Sequence, residues 1–149
     1  MKKFLKNQKG LTLVELLAVI VILGIIAAIA VPAIGNIIEN SRKDAQVANA
    51  EALYDAARLA QIGENVSGDA VFVAEGNPSE DLATKDLIGL NYMDEMPDDP
   101  MGGGAYTEAY VVYSGDTFLI TLGTSVGLYF DGDSIQAIRD KERDAIVLD

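Results

Sequence analysis

The chain of 149 residues has no cysteine, no histidine and no tryptophan, and only 7% of it is aromatic. Without His or Cys it can build neither a Ser-His-Asp nor a Cys-His nucleophile, nor an imidazole or thiolate zinc site. Without Cys it has no disulfide, so its core must be held by burial alone. Positive charge is also scarce: 11 Lys and Arg stand against 23 Asp and Glu, a net charge of −12. Such a surface repels phosphate backbones and disfavours direct nucleic-acid binding by this chain. Paired carboxylates could serve a glycosidase, but the candidate pairs lie in turn-like sequence with no sign of a cleft. The reading is non-enzymatic.

What the chain does have is concentrated at its start. Lys2, Lys3, Lys6 and Lys9 lead to Gly10, after which residues Leu11 to Ile34 form an apolar run broken almost only by Glu15. No small-residue cleavage site follows the run, as a secretory signal would require, and Pro32-Ala33-Ile34-Gly35 continues apolar. A span of this length covers a hydrocarbon core of about 30 Å, and the lysines place its amino-terminal side in the cytoplasm. Lipid bilayer is therefore its first expected surrounding. Glu15 is anomalous there, since a carboxylate at the centre of a span costs roughly 2.5–3.5 kcal/mol and less near an interface. An intramembrane acid calls for a partner, although a Glu near the cytoplasmic end could also simply reach the headgroups.

The residues Gly10-Leu11-Thr12-Leu13-Val14-Glu15-Leu16-Leu17 resemble the processing motif of type IV pilins and their pseudopilin relatives, in which a glycine ends the leader and glutamate is the fifth residue after it. Leu11 stands where most members have phenylalanine. The resemblance implies cleavage between Gly10 and Leu11 by a membrane prepilin peptidase and methylation of the new amino terminus at Leu11. It further implies that Glu15 meets the amino terminus of a neighbouring subunit and sets the register of assembly. A free α-amino group, with a pKa of about 7.7–8.0, is largely cationic at neutrality and suits that role. Implied partners are other pilin subunits in a homopolymer, minor pilins, and an inner-membrane platform protein with its assembly ATPase.

Beyond Ile34 the apolar positions Ile37, Ile38, Ala45, Ala48, Ala52, Ala56, Leu59 and Ala60 recur in steps near three and four, predicting that one helical rod continues to Ile62. Gly24 and Pro32 interrupt it and predict a kink or, by the resemblance, a local melt. Gly63 is read as the stop. Ala70 to Ala74 is β-prone, and Ser79-Glu80-Asp81-Leu82 predicts the cap of a short helix reaching Leu90. The passage from Leu90 to Tyr106, with Tyr92 and Pro97-Asp98-Asp99-Pro100, resembles one in many Gram-positive pilins and pseudopilins, where a tyrosine and a Pro-acidic-Pro turn precede the first strand of the head. Met101 replaces the tryptophan that pseudopilins often carry after the second proline.

Ala109 to Tyr113 and Thr117 to Leu122 read as strands around the turn Ser114-Gly115-Asp116. Leu128 to Phe130 and Ile135 to Ile138 flank Asp131-Gly132-Asp133-Ser134, a hairpin signal. The tail from Arg139 to Asp149 fits a short helix, a last strand or a frayed end. The expected fold is α+β: a long N-terminal helix, half membrane-spanning and half amphipathic, packed on a small antiparallel sheet. The expected divisions are a leader over 1–10, a polymerisation helix over 11–34, its amphipathic continuation over 35–62 and a globular head over 63–149.

No cofactor is expected. Calcium is weighed because some pseudopilins bind it in this part of the head, with Asp131 and Asp133, or Asp98 and Asp99, as the oxygen donors. Neither pair has an EF-hand spacing, and turn chemistry explains both. By resemblance the function is a structural subunit of a type IV pilus: a single-pass cell-membrane protein with its N-terminus in the cytoplasm, later an extracellular pilus on the cell surface. The alternatives are a major pseudopilin of a competence DNA-uptake or type II secretion apparatus and, more remotely, a membrane-anchored binding module.

Overall fold

The computed structural model describes residues 12–74, 83–102, 104–125, 127–141 and 146. The expected cleavage site at Gly10 and Leu11 lies outside them. The chain divides into two compact units, Met1–Ile38 and Glu39–Asp149.

The first helix, α1, spans Leu13–Gly63. Within the first unit its Leu, Ile and Val side chains are all exposed, from Leu13 at 86% onward. It is long and apolar enough, by length and composition, to cross a membrane. Gly24 and Pro32 both lie inside the helix. Proline carries no amide hydrogen, so the carbonyl of Ala28 loses its usual donor there.

In the second unit α1 turns one face into the core. Gln46, Ala50, Leu53, Ala57 and Ala60, at steps of four, three, four and three, are fully buried, with Ala56 beside them. This corrects the expected stripe. Ala48, Ala52 and Leu59 face outward instead, because alanines on both sides leave little hydrophobic contrast, and the packed side is the one that carries Leu53 and Gln46. The helix ends in a Schellman arrangement: Asn65, at φ 55°, donates its N–H to the Ile62 carbonyl, and the Val66 N–H reaches the Gln61 carbonyl. Gly63 serves close approach rather than an unusual φ, since a Cβ there would come within 2.9 Å of Tyr92 Cζ.

Among the described residues five strands follow: β1 Ala70–Val73, β2 Ala83–Asp86, β3 Glu108–Ser114, β4 Thr117–Thr124 and β5 Gly127–Ser134, ordered β2-β1-β3-β4-β5 in one sheet. All neighbours pair antiparallel except β1 and β2, which run parallel, so the sheet is mixed. Two strands therefore precede the Pro-acidic-Pro passage: β1 on the β-prone run from Ala70, and β2, which was not expected. The β3–β4 hairpin has Gly115 and Asp116 both at positive φ, the two-residue turn whose twist matches its strands, and Ser114, expected in the turn, instead ends β3 paired with Thr117.

Three expected elements change type. In place of a helix reaching Leu90, 83–86 is strand β2, followed by a turn; residues 79–82, the expected cap, lie outside the described residues. Asp86 Oδ1 accepts the N–H groups of Ile88 and Gly89 at 3.1 and 2.9 Å, a local alternative to helical bonding. Asp131 to Ser134 is no hairpin turn either. It belongs to β5, where Thr121 pairs with Asp131 and Ile120 with Asp133, leaving Gly132 as the extra residue of a bulge at φ 67°. The expected strand Ile135–Ile138 is part of helix α2, Ile135–Lys141. Ser134 caps it, its Oγ accepting the Ala137 N–H at 3.2 Å.

Phe72, Val111, Ile120, Leu122 and Phe130 of the sheet close over the α1 face, joined by Leu87, Ile138 and Ile146 in one cluster. Ile146 is buried in that cluster.

Candidate functional site

Thr12 and Glu15 form a capping box at the start of α1. Glu15 Oε2 accepts the Thr12 N–H at 2.8 Å and the Thr12 hydroxyl at 2.9 Å, while Thr12 Oγ1 accepts the Glu15 N–H at 3.3 Å. Two amide hydrogens that a helix start leaves without intrahelical partners are thereby satisfied. The carboxylate also sits in the first turn, where the helix dipole favours negative charge. The spacing Thr-x-x-Glu is itself the sequence signature of this device, a second role for Glu15 that the search for a charged partner passes over.

Around this polar start the first unit presents only apolar side chains and small residues up to Ile34. Such a surface can enter lipid or pack against other helices, and it offers no group for chemistry. Gly24 and Pro32 lie within it, and a Cβ added at Gly24 would meet nothing within 4 Å. Gly24 is thus a notch on the helix surface in the single chain.

The second unit holds a separate polar cluster, unannounced by any motif. Gln46, wholly buried on α1, donates from Nε2 to Asp99 Oδ1 at 2.6 Å and accepts the Tyr106 hydroxyl at its Oε1. Asn49 Nδ2 donates to Tyr106 Oη at 2.9 Å and to the Asp98 carbonyl at 3.4 Å. Tyr129 donates from its hydroxyl to Asp99 Oδ2 at 2.9 Å. A second bulge in β5 explains its reach: Leu122 pairs with Phe130 and Gly123 with Leu128, so Tyr129 is the unpaired residue whose side chain is redirected. Burial pushes the Tyr106 phenol up to about 12. Burial and the hydrogen bond to Asp99 raise that of Tyr129. In the sequence Asp99 stood out only as a candidate oxygen donor beside Asp98; the signal for its partner is Gln46, a polar residue at helical spacing from Ala50 and Leu53.

The acidic pairs weighed for calcium are not alike. Asp131 and Asp133 lie on β5, where Asp133 Oδ2 accepts the Asp131 N–H at 3.4 Å. Asp98 is exposed and Asp99 buried. Among the described residues no three acidic groups gather as a metal ion would need. On α2, Arg139 Nε donates to Glu51 Oε1 at 2.7 Å, and that bond raises the guanidinium's pKa. The pair is largely exposed and adds little to stability.

Residues 5–31 match the family model described as the prokaryotic N-terminal methylation motif. The chain is 35% identical over 82 residues to the type IV major fimbrial protein FimA of Dichelobacter nodosus, covering 55% of this chain and 48% of the relative. To the FimA of Dichelobacter nodosus strain VCS1703A it is 33% identical over 99 residues, 64% of this chain and 57% of the relative. The chain thus spans about half the length of the curated relatives it matches. No solved structure matches it significantly. Motif and relatives together support the type IV pilin family.

Proposed function

We propose that this chain is a structural, non-catalytic subunit of a type IV pilus, which polymerises through the first half of α1. The observation that carries the reading is the exposed apolar first half of α1, whose sole acid, Glu15, stands at its start within a methylation motif. In this reading a prepilin peptidase cuts between Gly10 and Leu11, and Leu11 becomes the methylated amino terminus. The subunit waits in the cell membrane with its N-terminus in the cytoplasm. A platform protein and an assembly ATPase then move it into a surface filament, beside further copies and minor pilins.

Glu15 has two partners in succession. In the waiting subunit Thr12 satisfies the carboxylate, so that it is not a bare charge at the edge of the bilayer. On assembly the cationic amino group of a neighbour's Leu11 takes over, a pairing that only the correct axial register allows. Loosening of α1 between Gly24 and Pro32 would let the apolar halves adjust to one another, helped by the donor missing at Pro32.

The test is Glu15→Val in the full chain, with the mature N-terminus read by mass spectrometry and filaments by electron microscopy. Normal cleavage and methylation with loss of filaments is the expected result; undiminished filaments would refute it. Filament length in the wild type separates a pilus from the short filaments of a secretion or competence apparatus.

A further inference from the structure

Asp99 is a buried carboxylate, only 3% exposed, and among the described residues no cationic side chain pairs with it. Its oxygens are nevertheless fully used. Oδ1 accepts Gln46 Nε2 at 2.6 Å and the Met101 N–H at 2.8 Å; Oδ2 accepts the Gly102 N–H at 2.9 Å and the Tyr129 hydroxyl at 2.9 Å. A carboxylate has about four lone-pair sites, so every one faces a donor hydrogen. The Asp99 N–H in turn donates to the Gly104 carbonyl at 2.7 Å, closing the loop on itself.

This arrangement does not fit the calcium ion weighed for this stretch of the head. Calcium needs six to eight oxygen ligands at about 2.3–2.6 Å, and a cation at Asp99 would meet the hydrogens of four donors. The adjoining cavity of about 160 Å³ is lined by a single carboxylate, Asp99 itself, with Gly102, Gly104, Thr107, Thr124 and Ser125 among its walls. One acid is too little charge for a hard divalent ion. Asp131 and Asp133 form no larger cluster among the described residues.

We infer that Asp99 is the anionic pin of the head, doing with four neutral donors what a structural cation does elsewhere: it fastens the connection between residues 97 and 106 to α1 through Gln46 and to β5 through Tyr129, and this connection needs no divalent metal. The donors come from three places that the chain must bring together, namely α1, the loop itself and the bulged residue of β5. The pin therefore reports the assembled tertiary structure. An amide in place of the carboxylate cannot serve, because either orientation turns an N–H donor toward donors already present.

The test uses the purified full chain in detergent, wild type and Asp99→Asn, melted in chelator and in millimolar calcium, with backbone amide exchange followed in parallel. The expected wild-type melting temperature is the same in both solutions. In Asp99→Asn the Met101 and Gly102 amides should exchange at least roughly tenfold faster while the β3–β4 ladder keeps its protection, a local opening of that connection. Should Asp99→Asn fail to fold, Tyr129→Phe, which removes one donor alone, carries the test: the Gly102 amide should exchange faster and calcium should still have no effect. A calcium-dependent rise in wild-type melting temperature, or unchanged Met101 and Gly102 amides in the variant that folds, would overturn the inference.

Discussion

A threonine and a glutamate three residues apart decide how α1 begins. Replacing Thr12 by Ala removes both the hydroxyl that accepts the Glu15 N–H and one of the carboxylate's two donors. Loss of such a cap costs about 1 kcal/mol. The expected outcome in micelles is faster exchange of the Glu15 amide, restored by Thr12→Ser, with the melting of the head unchanged. Tyr106 offers a test at the other extreme of pH. Its hydroxyl must keep its proton to donate to Gln46, and it ionises at about 12 in the fold against about 10 in an unfolded chain. Below the unfolded value both states are neutral and the stabilisation is whole; it drains away as pH climbs toward the folded value and is gone above it. Tyrosinate absorbance should show a phenol ionising at about 12, absent from Tyr106→Phe. At this scale the sequence was half legible. Glu15 stood out by polarity among apolar neighbours, whereas Gln46 and Asp99 declare themselves only once a helix and a loop 53 residues apart are in contact.

Among the elements, α1 and the β3–β4 hairpin could be read directly, one from a long apolar period and the other from a turn sequence between β-branched strands. β2 could not, for Ala83 to Asp86 has no alternation and depends on pairing with β1. Asp131-Gly132-Asp133 has the composition of a turn, and only the ladder to β4 shows that the glycine is a bulge. That reading makes a claim about Gly132: at φ 67° a side chain is strained, so Gly132→Val should lower head stability by about 1–2 kcal/mol, measured by denaturant titration. The junction of α1 with Tyr92 is tested by Gly63→Ala. Its Cβ would press on the ring, and the lowered melting temperature should recover in Gly63→Ala combined with Tyr92→Ala.

For the whole molecule, the division between its two units is one of solvent. All buried residues of α1 lie at or beyond Gln46, within the second unit. A fragment of residues 39–149 should accordingly fold in water and melt at the temperature of the full chain; a marked drop would show that the first unit contributes to that core. Composition had already separated the halves, since four of the 11 basic residues precede Gly10 and most of the acids follow Ile38. The rotation of the packed face by about one residue was beyond it, because alanine fits either side of a helix.

The margins of the sheet bear on how such subunits meet. At one margin β2 is four residues long and includes Lys85 and Asp86; at the other β5 is bent by two bulges and carries Asp131 and Asp133. Short, charged or irregular margins are poor templates for strand addition by another molecule. Among the described residues, neither margin therefore offers a second head a straight, uncharged edge on which to extend the sheet.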